Sequence, residues 1–174
     1  GALELSAKNA MMVSSCCACA GIIIGVISLT GIGYKFINVI TALAGSNLLL
    51  LMAMLMVTCI ILGMGVPTAP AYIIVATLGA PALMKAGVPI IAAHMFVYFY
   101  AILSVITPPV CLAAFAGAAI AETNAMKTGV TAMKLGIVAF IIPFMFVFEP
   151  ALLMQGSTTE IVTAFASALV GVIG

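Results

Sequence analysis

The chain has 174 residues, of which 66% are hydrophobic and 5% charged, with a mean hydropathy of +1.44 and a formal net charge of +1. A soluble domain carries about a quarter of its residues charged, so this composition excludes an ordinary soluble fold and makes lipid the solvent for most of the surface. Lys8, Lys35, Lys85, Lys127 and Lys134 stand against Glu4, Glu122, Glu149 and Glu160, with no Arg, so there is no basic patch for phosphate backbones and nucleic acid is excluded as a partner.

Residues 1–8 lack the basic n-region and short apolar core of a signal peptide. A first residue Gly1 and an apolar run that reaches Gly174 lead to the expectation of a piece of a longer polypeptide. Residues 9–29 are uncharged and long enough for a first membrane span, and Gly31, Gly33, Tyr34 and Lys35 suit its interfacial exit. Cys16, Cys17 and Cys19 lie in this span at spacings that do not converge as zinc ligands do, so they read as small packing residues. Gly21 and Gly25 give a small-xxx-small face for close helix approach.

Residues 46–80 predict a re-entrant hairpin: an apolar run to Leu62, a break at Gly63-Met-Gly-Val-Pro-Thr-Ala-Pro70, and a return arm too short to cross a bilayer. Residues 88–121 carry no charge, and one straight helix of that length would run about 51 Å, beyond a hydrocarbon core of about 30 Å. Consecutive prolines at Pro108 and Pro109 predict a discontinuous helix instead. Residues 122–134 form the most polar stretch and read as a connector or short surface helix. A further span is predicted over 135–155, then a capping box at Ser157 and Glu160, and a truncated span over 160–174. This topology puts Lys8, Lys127 and Lys134 on one side and Lys35 and Lys85 on the other, which marks the first side as cytoplasmic.

Irregular backbone inside a membrane persists only where protein or a water-filled cavity satisfies it. Pro67 cannot donate to the Gly63 carbonyl, Pro70 cannot donate to Val66, and Pro108 and Pro109 leave the Ser104 and Val105 carbonyls without their helical donors. With the hydroxyls of Thr68 and Thr107, these oxygens form the ligand set of a hard monovalent cation, and Gly63 and Gly65 allow close backbone approach. Broken helices with unwound carbonyls at sodium and substrate sites are the architecture of secondary transporters. The plainer reading is that each proline kink only shapes packing.

His94 and Tyr98 share one helix face, and Tyr100 and Ser104 share a neighbouring one. His94, Tyr98 and Tyr100 are therefore candidates for a substrate-cavity wall; interfacial tyrosines and a backbone-bonded His are the alternative. Glu149 is the one acid inside an apolar span, and so is either a proton-coupling candidate or a residue near the headgroups.

The series Leu62-Gly-Met-Gly-Val-Pro-Thr-Ala-Pro-Ala-Tyr72, Ala80-Pro-Ala-Leu83, His94-Met-Phe-Val-Tyr-Phe-Tyr100, Ile106-Thr-Pro-Pro-Val110 and Pro143-Phe-Met-Phe-Val-Phe-Glu-Pro-Ala-Leu-Leu153 closely resembles the fused permease of tripartite ATP-independent periplasmic (TRAP) transporters. It matches the second half of the large membrane subunit, in order, over nearly the whole chain. The resemblance implies an all-α polytopic membrane protein, one inverted repeat of an elevator-type secondary transporter, in a bacterial or archaeal cytoplasmic (inner) membrane. It also implies sodium-driven import of a small organic anion taken from a periplasmic solute-binding protein, with small-subunit helices and a first repeat as further partners. A sodium site would lie between the tip at 63–68 and the break at 104–109, with sodium as coupling ion and no other cofactor.

A phosphate-binding G-x-x-x-x-G-K-[ST] loop is missing from the sequence, so the driving force is expected from an ion gradient rather than ATP. Three competitors stand beside this reading. One is a proton-coupled carrier or channel using Glu149 or His94. Another is a membrane-embedded enzyme using His94, Cys111 or Ser104, for which no placed acid, base and oxyanion donor is seen, so no enzyme is expected. The third is a structural membrane subunit.

Overall fold

Gly45, at a φ of +58°, stops one helix and Asn47 starts the next: the Asn47 side-chain Oδ1 accepts the Leu50 amide at 3.2 Å, satisfying an orphan donor at the helix start. In this computed structural model the helices are α1 (Ile32–Ala44), α2 (Leu48–Gly63), α3 (Thr68–Lys85), α4 (Ile90–Leu103), α5 (Leu112–Ile120), α6 (Ala125–Leu135), α7 (Ile142–Phe148) and α8 (Thr158–Ile173). Short 3-10 turns at Ser104–Ile106, Ile137–Phe140 and Pro150–Leu153 join them. The structure describes residues 31–173 and, within 1–30, positions 3, 4, 7, 11, 14, 18, 19, 21–23, 25, 26, 29 and 30. The continuity of the 9–29 span and the placement of Cys16 and Cys17 lie outside the described residues. Added Cβ atoms at Gly21 and Gly25 meet no described neighbour within 4 Å.

The molecule is all-helical over the described residues, and α3 and α4 form its centre. Small residues let the two come close: Ala71, Ala80, Ala82, Ala92, Ala93 and Ala101 are buried, and a Cβ at Gly79 would stand 2.9 Å from Val97 Cγ2. Helix α2 packs on both through Leu51, Met52, Leu55 and Cys59, while α1 covers α3 with Ile37 and Ile40. Helix α7 closes the other side of α4 by aromatic edges, with Phe96 to Phe144 at 5.5 Å, Tyr100 to Phe144 at 6.3 Å and Phe99 to Phe146 at 5.1 Å. Such edge-to-face pairs are each worth about 0.5–1.5 kcal/mol beyond the area they bury.

Two expectations about the elements differ from the helices observed. The return arm of the hairpin does not end at residue 80; α3 runs from Thr68 to Lys85, about 27 Å of helix. Pro70 is absorbed in its first turn, where the missing N–H is an orphan anyway. The helix closes at Gly87, where φ is +91°, with the Val88 amide on the Leu83 carbonyl and the Gly87 amide on Met84. Second, residues 135–155 do not form one helix. Pro143 denies a donor to the Ala139 carbonyl and Pro150 denies one to Phe146, so the stretch divides into the Ile137–Phe140 turn, α7 and the Pro150–Leu153 turn. The polar stretch at 122–134, read as a connector or short surface helix, carries the helix α6, begun by Asn124, whose Oδ1 accepts the Lys127 amide at 3.0 Å.

Among the described residues no single helix is long and apolar enough to cross a membrane. The apolar helices over Lys35–Ala44, Leu48–Gly63 and Ile90–Ile106 are shorter, and one pair, Ala125–Leu135 with Ile137–Phe148, reaches the combined length but bends by 62°. The shortness follows from the breaks: each long apolar run is cut where Gly or Pro stops the hydrogen-bond ladder.

Candidate functional site

The hairpin tip and the break in the second long segment meet. Helix α2 ends at Gly63, residues 64–67 turn, and Gly65 takes a φ of +76° that a side chain would resist. On the other side α4 tightens into the Ser104–Ile106 turn, and residues 107–111 run irregularly to α5, with a cis bond between Pro108 and Pro109. A Cβ at Gly63 would stand 2.7 Å from Ser104 Oγ, and one at Gly65 would touch Val110 Cγ1 at 3.4 Å. Two segments some forty residues apart in sequence thus lie in contact, backbone against side chain.

The oxygens at this junction divide into committed and open groups. The Gly63 carbonyl accepts the Val66 amide at 3.4 Å and the Ser104 carbonyl accepts the Thr107 amide at 3.3 Å, so two oxygens that the prolines release from the helix are taken up by tight turns. The Val66 and Val105 carbonyls have no such donor, because Pro70 stands at the helical position for Val66 and Pro108 and Pro109 stand at both positions for Val105. Ser104, fully buried, donates its hydroxyl to the Ala101 carbonyl at 2.7 Å. Thr107, 7% exposed, donates to Leu103 at 2.6 Å. Each hydroxyl keeps oxygen lone pairs free to accept or coordinate. Thr68 is half-buried at the first position of α3. Pro67 precedes it as the N-cap. The two segments carry carbonyl and hydroxyl oxygens, the hard-ligand chemistry suited to an alkali cation, on a junction where Ser104 and Thr107 are buried while Gly65, Pro109 and Val110 are exposed.

Other sequence candidates lie elsewhere. The His94 ring stands about 15 Å of helix rise before Ser104, and its Nδ1 pairs with the Tyr72 hydroxyl at 2.9 Å. Tyr98 meets the Tyr72 ring edge-on at 5.4 Å and is 39% exposed. Tyr72, which sequence reasoning left out as a site residue, is the centre of this cluster and sits one helical turn from Thr68. Tyr100 is fully buried among Phe96, Phe140 and Phe144, and its hydroxyl donates to the Phe140 carbonyl at 2.6 Å. Glu149 is exposed at the end of α7, on the rim of a groove of about 780 Å³ between α7 and α8 that also includes Glu160. Glu160 itself completes the capping box of α8, accepting the Ser157 amide at 2.8 Å while its own amide reaches Ser157 Oγ at 3.4 Å. His94, Ser104 and Cys111 each pack against different partners and form no catalytic group.

All-helical described residues, a lipid-suited composition and two proline breaks that meet where Gly63 lies against Ser104 are features that secondary-transporter membrane domains combine. The comparison with known families agrees: the family model described as "Tripartite ATP-independent periplasmic transporter, DctM component" matches residues 1–161. The chain belongs to that family, the large permease component of TRAP transporters. It is therefore part of an inner-membrane transporter component rather than of an enzyme family, and its family works with a periplasmic binding protein and a small membrane subunit. No curated protein and no solved structure matches it.

Proposed function

We propose that the chain is one half of a sodium-driven TRAP permease, and that the junction of 63–68 with 104–109 holds a coupling sodium ion. The contact between Gly63 and Ser104 supports this reading, because it joins the segment that carries the Val66 carbonyl and the Thr68 hydroxyl to the segment that carries the Val105 carbonyl and the Ser104 and Thr107 hydroxyls. Sodium binding there would tie the tip to the broken helix, since both segments contribute ligands and neither completes a site alone. An ion that fixes the tip favours one conformation of the hairpin, and a gradient of that ion then biases solute movement inward. The solute class is a small organic anion delivered by the extracytoplasmic binding protein. An elevator movement of one inverted repeat pair is the motion that fits short, broken helices clustered on a common core.

The test is uptake by the assembled transporter in proteoliposomes, with its binding protein and a solute identified by thermal shift of that binding protein. An inward sodium gradient should accelerate uptake and its removal should abolish accumulation. Accumulation driven equally well by a proton gradient without sodium would overturn the reading.

A further inference from the structure

Between Ser104 and α5 the chain has little of its own to hold it. Pro108 and Pro109 donate no amide hydrogen bonds, the Thr107 amide closes the preceding turn, and regular bonding resumes only with the Phe115 amide on the Cys111 carbonyl at 2.9 Å. A segment without a ladder is positioned by what packs against it. Here that neighbour is α6. Gly129 is buried on a helix whose Lys127, Val130 and Lys134 are exposed, and its backbone rests on the break. A Cβ added at Gly129 would collide with Cys111 Sγ, while lying 3.6 Å from Cys111 Cβ and 3.8 Å from Pro108 Cγ. A Cβ at Gly136, which follows α6, would stand 2.9 Å from Ile106 Cδ1. Helix α6 thus touches Ile106, Pro108 and Cys111, the residues on either side of Thr107, and Cys111 is fully buried beneath it.

We infer that α6 is the backing of the break, and that Gly129 and Gly136 are positioning residues that hold the Thr107 segment in the geometry its oxygens need. The inference rests on the cation reading above for what those oxygens bind, but the docking of α6 stands on the contacts alone. A methyl at Gly129 must retreat by more than about one ångström to reach ordinary contact with Cys111 Sγ, and lifting α6 that far would move the Thr107 oxygens relative to the hairpin tip. The two effects of the substitution would then separate: the ion is held less well, while the rest of the transport cycle is intact.

The experiment uses the assembled transporter in proteoliposomes, titrating sodium at saturating solute for wild type, Gly129→Ala, Cys111→Ala and the double variant. Gly129→Ala should raise the sodium concentration for half-maximal uptake by about 5-fold to about 150-fold, the range for overpacking a tight contact, with the maximal rate retained. Adding Cys111→Ala should restore it, because the remaining Cβ to Cβ distance of 3.6 Å is ordinary contact. A fall in maximal rate at unchanged half-saturation, or a double variant as impaired as the single one, would overturn the inference. Maleimide labelling of Cys111, read by peptide mass spectrometry in detergent, tests the docking without sodium transport: wild type should label slowly and Gly129→Ala several times faster. Equal, rapid labelling of both would overturn the docking. Faster labelling in Gly129→Ala beside uptake that ignores sodium would instead keep the docking and reject the cation reading. Should Gly129→Ala fail to insert, Gly136→Ala offers a milder displacement, since its neighbour is the flexible end of Ile106, and the same two readouts apply.

Discussion

Replacing Gly63 by Ala puts a methyl where the hairpin tip meets the broken helix. The new Cβ would lie 2.7 Å from Ser104 Oγ, 3.0 Å from Ser104 Cβ and 3.7 Å from the Ala101 carbonyl oxygen. Carbon atoms pack best at about 3.5–4.0 Å, so the tip must withdraw by roughly half an ångström or more. Ser104 cannot simply turn aside, because it is fully buried and its hydroxyl is bonded to Ala101 at 2.7 Å. Overpacking of this kind costs about 1–3 kcal/mol. If that cost falls on the closed junction, sodium half-saturation rises by about 5-fold to about 150-fold. Sodium-titrated uptake reads the affinity, and thermal unfolding in detergent reads the stability. Rescue should follow the geometry in the unfolding assay: adding Ser104→Ala leaves the 3.0 Å carbon contact and recovers little, whereas Ser104→Gly removes it. The second rescue is offset by about 1 kcal/mol of added chain freedom. A Gly63→Ala protein with wild-type stability and sodium response would refute the packed junction.

Tyr100→Phe strips the donor from the half-buried Phe140 carbonyl and should cost about 0.5–1.5 kcal/mol in detergent unfolding, without a matching shift in solute half-saturation; an unchanged stability would mean that another donor satisfies this carbonyl. For the Tyr72 and His94 pair, a double-mutant cycle of Tyr72→Phe and His94→Ala should show a coupling of about 0.5–1.5 kcal/mol in the same assay, whereas strictly additive effects would mean the 2.9 Å bond contributes nothing. Glu149→Gln should leave sodium-driven uptake and its pH profile unchanged, because the carboxylate is exposed on the groove rim and away from the junction; loss of a pH-driven component would transfer the coupling role to Glu149.

What the sequence made legible, and what it hid, follows from how each residue acts. Pro67, Pro108 and Pro109 remove backbone donors wherever they stand, so the ends of α2 and α4 are marked by composition alone. Ser157 and Glu160 declare the start of α8 by the same local logic. Pro70 misled by the same rule, since it falls in the first turn of α3, where no donor is missed, and Pro81 is carried inside the same helix, held by tertiary packing. The uniform apolarity of 135–155 concealed its division at Pro143 and Pro150, because membrane composition erases the polar punctuation that marks loops in soluble chains. The burial of Tyr100 could not be read from helix faces, which fix its neighbours along α4 but not the arrival of Phe140 and Phe144. The same holds for Gly129, whose role exists only once α6 lies on Cys111.

Thr107 decides most directly whether the break is a cation site. Its hydroxyl donates to the Leu103 carbonyl at 2.6 Å and keeps lone pairs that can accept or coordinate, so Thr107→Val preserves shape and removes the oxygen, while Thr107→Ser keeps the oxygen and trims a methyl. Sodium-titrated uptake in proteoliposomes should show half-saturation at least about tenfold higher for Thr107→Val, a loss near 1.4 kcal/mol, and close to wild type for Thr107→Ser. Equal sodium half-saturation in wild type and both variants, or uptake with no sodium dependence at all, would contradict a coupling ion at the meeting of the two broken segments.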